Sequence, residues 1–369
     1  MAQLSPAMRA LVQPHLVNIE PYDPNFTPTR INLSANENTY PLPEGVRAAI
    51  DAALAATPLN RYPDPLSNEL RDELAAWLGV ERAQICVGNG GDELLFNIML
   101  AFGGRGRTLL TCPPDFSEYA FFASLVETDA TSVSRDPKTF APQVDELVQA
   151  AATANLVIVT SPNNPTGDLF PLDAVERLCE ACPGIVFVDE AYGEFADEGS
   201  SALSLLARHS NLVILKTLSK AFGAAGIRCG YVVAAPEVIE VFSAVRQIYS
   251  VNVLTQAAAL AAVRARAAYK PVVEQIRSER ERLRTTLSEL FAGLPQPGQV
   301  WPSQGNFLLV RIPQASRVRE RLRDEYSILV RDFSYAPGLT DCLRITVGTP
   351  EENDAVIAAL TELVKEQAS

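Results

Sequence analysis

In the middle of the chain, short apolar segments alternate with longer stretches that have the periodicity of helices. The apolar segments are Thr108–Thr111, Leu156–Thr160, Ile185–Asp189, Leu212–Lys216 and Arg228–Ala234. Their apolar residues are continuous and do not alternate with polar ones, which is typical of strands covered on both faces of a parallel sheet. The pattern therefore predicts an α/β domain with a mostly parallel central sheet and helices on both sides.

The pattern changes toward both ends of the chain. Residues 257–292 read as one long helical stretch rich in Ala, Arg and Glu, and shorter strand-like and helical segments follow it. We interpret residues 45–250 as a large ligand-binding domain and residues 251–369 as a smaller α+β domain. Residues 1–44 are rich in proline and predict an extended N-terminal arm.

Composition and charge restrict the class of protein. Hydrophobic residues make up 47% of the 369 residues and charged residues 20%, as in ordinary globular proteins. The net charge of −13 argues against nucleic acid as the main partner, since such proteins need a basic surface. No segment approaches the roughly 18 apolar residues that cross a bilayer, and the N-terminus does not resemble a signal peptide. We expect a cytoplasmic protein with no membrane partner.

The six cysteines do not predict a metal site. Only Cys179 and Cys182 form a CxxC pair, and no second pair of ligands lies near it in sequence. Zinc is usually held by four ligands. We therefore expect no metal and interpret these cysteines as reduced structural thiols, although a role for the pair stays open.

Three polar motifs begin where apolar segments end. SPNNPTG follows 156–160, DEAYGEF begins at the end of 185–189, and KTLSKAFG begins at the end of 212–216. In open α/β sheets, ligands bind at the carboxyl ends of the strands. The three motifs therefore predict parts of one binding site.

The residues in these motifs suit one kind of cofactor. Lys220 lies just beyond a strand, and two hydroxyls and a guanidinium near it suit a phosphate: Thr217, Ser219 and Arg228. Asp189 ends a buried strand, where an ionised carboxylate needs a cation or donors. The loop GNGGDE (88–93) opens a helix and exposes backbone N–H groups that bind phosphate. An amine, an anion and a phosphate cradle are what a pyridoxal phosphate enzyme requires.

Two other nucleotide-binding classes fit the sequence poorly. A nucleotide hydrolase would carry a GxxxxGK[ST] loop, and the chain has none. A dinucleotide-dependent oxidoreductase would carry GxGxxG, but Glu93 occupies the position of the third glycine.

Nine motifs occur in one order along the chain. They are NENTYPLP, RYPDP, GNGGDE, PPDFSEY, SPNNPTG, VDEAYGEF, TLSKAFG, QGNFLLV and LRITVGT. This set resembles the histidinol-phosphate aminotransferases, which belong to the fold-type I pyridoxal phosphate enzymes, and it spans residues 30 to 355. The resemblance implies a large domain around a mostly parallel sheet, a smaller C-terminal domain and a homodimer with shared sites. The sequence departs from the family pattern at Asp115, where threonine is common.

The resemblance also implies a role for each matching residue. Lys220 would hold the cofactor and move the proton, and Asp189 would pair with the pyridine nitrogen. Phe116 would stack on the ring, and Asn164 and Tyr192 would contact its hydroxyl oxygen. The phosphate would be held by the backbone of Gly91, Asp92 and Glu93, by Thr217, Ser219 and Arg228, and by Tyr62 from the neighbouring subunit. Substrate-binding residues would be Arg344 for a carboxylate, Arg331 for a phosphate, and Asn36.

The implied reaction transfers an amino group between L-histidinol phosphate and 2-oxoglutarate, giving imidazole-acetol phosphate and L-glutamate, a step of histidine biosynthesis. An aromatic amino-acid aminotransferase or a threonine-phosphate decarboxylase would keep the same lysine and aspartate. A regulatory protein on this fold would need a DNA-binding domain, for which we find no room before Asn32. Arg331 has a second interpretation, because it could form a salt bridge with Glu325 or Asp332 instead of binding a substrate.

Overall fold

The computed structural model describes residues 4–19 and 27–368, and within these residues twelve strands form two sheets. The seven strands of the large sheet are β2 (Ile85–Gly88), β3 (Thr108–Thr111), β4 (Asp129–Ser132), β5 (Leu156–Thr160), β6 (Ile185–Asp189), β7 (Leu212–Thr217) and β8 (Gly230–Ala234). The five strands of the small sheet are β1 (Ile31–Leu33), β9 (Gln299–Val300), β10 (Phe307–Arg311), β11 (Ile328–Asp332) and β12 (Cys342–Thr346).

Helices cover both sheets. They are α1 (Pro6–Arg9), α2 (Glu44–Ala56), α3 (Asn68–Leu78), α4 (Gly91–Phe102), α5 (Glu118–Leu125), α6 (Val144–Ala151), α7 (Leu172–Ala181), α8 (Pro236–Val245), α9 (Val253–Arg264), α10 (Lys270–Ala292), α11 (Ala315–Tyr326) and α12 (Pro350–Ala368). Within the described residues, no helix combines the length and the apolar character needed to span a membrane.

The large sheet has the strand order β2-β8-β7-β6-β5-β3-β4. The five strands from β7 to β4 run parallel, whereas β8 is antiparallel to both β7 and β2. All residues of β5, β6 and β7 are buried, because helices lie on both faces of the sheet. The prediction of a mostly parallel α/β sheet is confirmed.

The predicted strand limits agree closely with these bounds. Three strands have the predicted ends, and β7 continues one residue further, to Thr217. β8 begins at Gly230 and not at Arg228, because Arg228 has a left-handed backbone with φ of 53°. An extended strand does not accommodate that conformation.

The small sheet has the order β1-β11-β12-β10-β9. β1 lies within the segment predicted to be an N-terminal arm, and it pairs in parallel with β11, so that Ile31 faces Ile328. Apolar side chains from α10, α11 and α12 pack on this sheet, among them Leu287, Leu322 and Leu360. The domain limits given above stay predictions.

The helix predicted over residues 257–292 is two helices. α9 ends at Arg264, a 3₁₀ turn covers Arg266–Tyr269, and α10 begins at Lys270. Pro271 explains the break, because proline lacks the N–H for a helical hydrogen bond and clashes with the preceding turn. In the first turn of α10 the same residue is favourable.

Cys179 and Cys182 lie at the C-terminal end of α7. Both thiols are buried in the hydrophobic core, and burial raises the pKa of Cys179 to about 12. As reduced, buried thiols, both residues contribute to the packing of the hydrophobic core.

One backbone contact fixes the loop between β2 and α4. Gly230 at the start of β8 pairs with Gly88 at the end of β2. A Cβ atom added at Gly230 would lie 2.9 Å from both the carbonyl carbon of Gly90 and the nitrogen of Gly91. Only a residue without a side chain allows the two backbones to approach so closely.

We therefore expect Gly230→Ala to displace the loop and lower the free energy of unfolding by about 1–3 kcal/mol, as overpacking usually does. Gly226→Ala is the matched control, because a Cβ atom there meets nothing within 4 Å. Chemical denaturation of both variants measures the difference. Equal stability of the two variants would contradict the steric argument.

Candidate active site

A cleft of about 520 Å³ lies at the carboxyl ends of β5, β6 and β7, with the small sheet as its opposite wall. It brings together twelve of the residues predicted from sequence: Gly91, Asp92, Phe116, Asn164, Asp189, Tyr192, Thr217, Ser219, Lys220, Arg228, Arg331 and Arg344. Three further predicted residues do not line it, namely Asn36, Tyr62 and Glu93. The three motifs at strand ends thus meet in one cleft, as their positions predicted.

Lys220 projects into the cleft from the loop after β7. Its Nζ donates a hydrogen bond to the carbonyl oxygen of Ala35, at 3.0 Å. The same nitrogen lies 5.7 Å from the centre of the Tyr192 ring. The amine is therefore held at the cleft by a backbone oxygen from the segment that follows β1, and no carboxylate of the described residues forms an ion pair with it.

Asp189 forms the floor of the cleft at the end of β6. Its carboxylate is buried and accepts hydrogen bonds from the Tyr119 hydroxyl, at 2.7 Å, and from the N–H of Ala191, at 3.0 Å. Burial is the main reason that the pKa of Asp189 is raised to about 6, and the hydrogen bonds from Tyr119 and Ala191 offset it only in part. No ion pair within the described residues neutralises this carboxylate. The site therefore presents a buried anion that a cationic nitrogen would stabilise.

Tyr119 is a site residue that the sequence reasoning missed. Its hydroxyl is buried between Asp189 and Thr160, with 2.7 Å to each oxygen. Its ring packs edge-on against Phe116, with the ring centres 5.6 Å apart. The motif PPDFSEY contained Tyr119, and its position three residues after Phe116 was the available signal, because residues three apart at a helix start share a face.

The loop between β2 and α4 forms a cradle with Arg228. Gly90 has φ of 87°, and a Cβ atom added there would lie 2.5 Å from a terminal nitrogen of Arg228. That guanidinium also contacts the Asp92 carboxylate at 3.1 Å. Thr217 donates to the Ser219 hydroxyl at 3.0 Å on the same side of the cleft. A helix N-terminus, hydroxyls and an arginine together suit a phosphate.

Glu93 takes no part in the cleft wall. Its carboxylate accepts a hydrogen bond from the backbone N–H of Asn89 and so closes its own loop. The side chain thus stabilises the turn that precedes α4.

The small-sheet wall carries two arginines side by side. Arg331 on β11 and Arg344 on β12 are directly paired, so both side chains leave the same face of the sheet. Arg344 donates to Asn164 Oδ1 at 2.6 Å, and its guanidinium lies 5.4 Å from the centre of the Phe333 ring. Like charges directly opposite each other are destabilising. An anionic ligand would therefore stabilise this wall.

The alternative partner Glu325 is engaged elsewhere. Its carboxylate pairs with Arg321, at 2.6 Å, one turn earlier on α11. Asp332 accepts from the backbone N–H of Ser334 at 2.7 Å. Arg331 itself lines the cleft.

Asn36 lies beneath the cleft wall. It is fully buried, and its side-chain amide donates to the Tyr192 hydroxyl at 3.0 Å. Its backbone N–H donates to Thr346 Oγ1 at the end of β12. Asn36 therefore positions Tyr192 and connects the segment after β1 to the small sheet.

Tyr62 lies outside the cleft of its own chain. Its side chain is 81% exposed, and its ring stacks on that of Tyr249 with 4.6 Å between centres. Within one chain, it contributes nothing to the cleft.

Comparison with known proteins agrees with this geometry. Residues 28–360 match the family described as aminotransferase class I and II, so the chain belongs to that family. Among similar proteins, the histidinol-phosphate aminotransferase of Thermoanaerobacter pseudethanolicus is 37% identical over 96% of this chain and 99% of its own length. The one from Corynebacterium glutamicum is 39% identical over 91% of each chain. The resemblance seen in the motifs, to the histidinol-phosphate aminotransferases, is confirmed.

A solved structure supports the same assignment of fold. The histidinol-phosphate aminotransferase of Sinorhizobium meliloti, determined in complex with pyridoxal-5′-phosphate, superposes with a TM-score of 0.87. It is 26% identical and covers 97% of this chain and 98% of its own. The fold-type I architecture is therefore confirmed.

The buried charge of Asp189 makes a prediction for the cofactor-free protein. Folding raises the pKa of this carboxyl from 3.8 to about 6. An acid with a raised pKa destabilises the folded state once it ionises, so this cost grows as the pH rises from about 4 to about 6 and persists above it. We expect Asp189→Asn to gain up to about 3 kcal/mol in unfolding free energy at pH 8, at 1.4 kcal/mol per pKa unit.

Urea denaturation of both proteins at pH 8 and at pH 4.5 measures this gain. The advantage of the variant should shrink at the lower pH, where the wild-type carboxyl is largely protonated. Pyridoxal phosphate should bind the variant more weakly than the wild type. If the variant were less stable than the wild type at both pH values, the buried carboxylate of Asp189 would not lower the unfolding free energy of the cofactor-free protein.

Proposed function

We propose that this aminotransferase carries pyridoxal 5′-phosphate in the cleft and transfers an amino group from L-histidinol phosphate to 2-oxoglutarate. The observation that supports it best is that one cleft contains both a buried carboxylate without an ion-pair partner in the described residues, Asp189, and a separate amine, Lys220. The pyridine nitrogen of the cofactor needs a carboxylate beside it, and the aldehyde of the cofactor needs an amine to bind it covalently. The curated relatives quoted above carry the name of this activity.

The residues present fit the cofactor from one end to the other. Asp189 would face the pyridine nitrogen, and Phe116 would cover the ring. Asn164 and Tyr192 would lie at the ring hydroxyl. The cradle of Gly91, Asp92, Thr217, Ser219 and Arg228 would hold the phosphate. When bound, the cofactor supplies an electron sink that stabilises negative charge at the substrate α-carbon.

The chain's own groups supply position and proton transfer. Lys220 Nζ would take the proton from the substrate α-carbon as a general base and then, as a general acid, deliver it to the cofactor carbon that carried the aldehyde. Asp189 would keep the ring nitrogen of the cofactor in its charged form, which would strengthen the electron sink. Asn36 donates to the Tyr192 hydroxyl and Tyr119 donates to the Asp189 carboxylate. These contacts would fix the orientation of both groups toward the ring of the cofactor.

The two arginines of the small sheet suit the anionic groups of the two substrates. Arg344 would bind the α-carboxylate of glutamate or 2-oxoglutarate, and Arg331 beside it would bind the phosphate of histidinol phosphate, for which the planar fork of a guanidinium is well shaped. An aromatic amino acid has a carboxylate for Arg344 but no phosphate for Arg331. The paired geometry of β11 and β12 therefore supports a phosphorylated amine.

We also propose that two copies of the chain form a dimer that buries an exposed apolar patch. The patch consists of Leu59, Tyr62, Leu66, Ile248, Tyr249 and Leu254. Two contacts connect its segments, since Arg246 donates to the Pro65 carbonyl and Gln256 to the Asp64 carbonyl. Contiguous exposed apolar surface of this kind marks an interface. In a dimer, Tyr62 would be placed to reach the phosphate cradle of the partner.

A substrate comparison tests the proposed reaction. Purified protein with cofactor should transfer the amine of histidinol phosphate to 2-oxoglutarate faster than the amines of phenylalanine or tyrosine, measured as kcat/KM. Lys220→Ala protein should lose the absorbance of the covalently held cofactor and all turnover, because among the described residues Lys220 is the lysine that lines the cleft. Preference for phenylalanine, or decarboxylation of threonine phosphate, would contradict the proposal.

Arg331→Ala tests the phosphate anchor. We expect kcat/KM for histidinol phosphate to fall about 10- to 100-fold, the usual cost of losing a hydrogen bond to a charged group. The value for phenylalanine should fall much less. Arg317→Ala is the matched control, because it also removes one positive charge, but from an exposed arginine on α11 outside the cleft. An unchanged ratio between the two amines would remove Arg331 from substrate recognition.

A further inference from the structure

Glu118 is an acidic residue in the cleft that the proposed function does not use. It is the first residue of α5, two positions after Phe116, and its side chain lines the cleft together with Arg331 and Tyr335. Glu118 lies on the large-sheet wall, and Arg331 lies on the small-sheet wall opposite. A ligand that fills the space between the two walls would meet both groups.

The Glu118 carboxylate has few donors in the protein itself. Within the described part of the chain, the only hydrogen bond found for it comes from the Ser117 hydroxyl, at a long 3.5 Å. The residue is half-buried, and burial followed by the charge of Asp92 raises its pKa, whereas Arg331 lowers it. A partly desolvated carboxylate with unused acceptor sites is unfavourable unless a ligand supplies a donor.

A role at the helix N-terminus does not account for this position. A glutamate in a first turn stabilises the helix dipole wherever it faces. Glu44 does so at the start of α2 while exposed to solvent. Glu118 instead turns toward a cleft that also contains a guanidinium, a cradle for phosphate and the reactive amine.

We propose that Glu118 determines specificity by accepting a hydrogen bond from the ring N–H of the imidazole of the substrate. This inference rests on the proposed function, because it names the group that recognises the side chain of the phosphorylated amine. Arg331 would hold the phosphate while Glu118 holds the heterocycle on the facing wall. A phenyl ring or a methyl group has no donor for this carboxylate and would leave it desolvated and unpaired.

The test uses the holoenzyme and the single half-reaction of each amine, followed by the change in cofactor absorbance. For each amine, the rate constant of the half-reaction is divided by the dissociation constant. The measured quantity is this value for histidinol phosphate relative to the value for phenylalanine. Glu118→Gln removes the charge with little change in shape, and Glu118→Leu removes the acceptor altogether. Glu44→Gln is the matched control for a first-turn glutamate outside the cleft.

We expect the ratio to fall about 10-fold or more in Glu118→Gln and about 100-fold in Glu118→Leu, since hydrogen bonds to charged groups carry effects of this size. The ratio should not change in Glu44→Gln. An unchanged ratio in both Glu118 variants, or an equal fall for the two amines, would overturn the inference while leaving the proposed function intact. A wild-type protein that does not react with histidinol phosphate would overturn both.

Discussion

The structure of the site depends on one electrostatic constraint, a carboxylate held at the buried end of β6 with no ion-pair partner among residues 4–19 and 27–368. Asp189 keeps its place through two donors, the Tyr119 hydroxyl and the Ala191 N–H. Neither donor carries a charge, so the cost of burial is only partly offset, and the pKa stays raised. A protein that keeps such a residue loses stability in the cofactor-free state. The stability lost is recovered when a cationic ring nitrogen binds.

The charges of the cleft are arranged along its length. The anion of Asp189 lies at the floor, whereas Arg228 and the start of α4 lie at the loop between β2 and α4. A ligand with a cationic ring at one end and a phosphate at the other binds such a gradient in one orientation. Lys220 lines the same cleft, and its amine hydrogen-bonds to the carbonyl oxygen of Ala35. The net charge of −13 hides this local pattern, because the sum over the chain says nothing about one cleft.

Local sequence was sufficient for the parts of the fold that depend on neighbours in the chain. Continuous apolar segments predicted five of the seven strands of the large sheet, and strand-end motifs placed Lys220 and Asp189 together. The break between α9 and α10 was also within reach, because Pro271 is visible in the sequence.

Contacts between distant segments could not be predicted in the same way. β1 pairs with β11 across almost 300 residues, and no local pattern specifies that partner. The role of Tyr119 has the same origin, because only the packing of α5 against β5 and β6 brings its hydroxyl to Thr160 and Asp189. Sequence motifs identify the residues that carry the chemistry. The neighbouring residues that orient them, such as Tyr119, are brought into place by tertiary packing.

The paired arginines show that sheet register also positions residues that line the cleft. Arg331 and Arg344 are thirteen positions apart in sequence, and antiparallel pairing of β11 with β12 makes them direct neighbours on one face. A shift of register by one residue would turn one of the two guanidinium groups away from the cleft. The apolar residues on the other face of the small sheet, including Ile328, Val330, Leu343 and Ile345, bury against the helices and so hold that register. Packing on one face of the sheet thereby fixes where the two cations stand on the other.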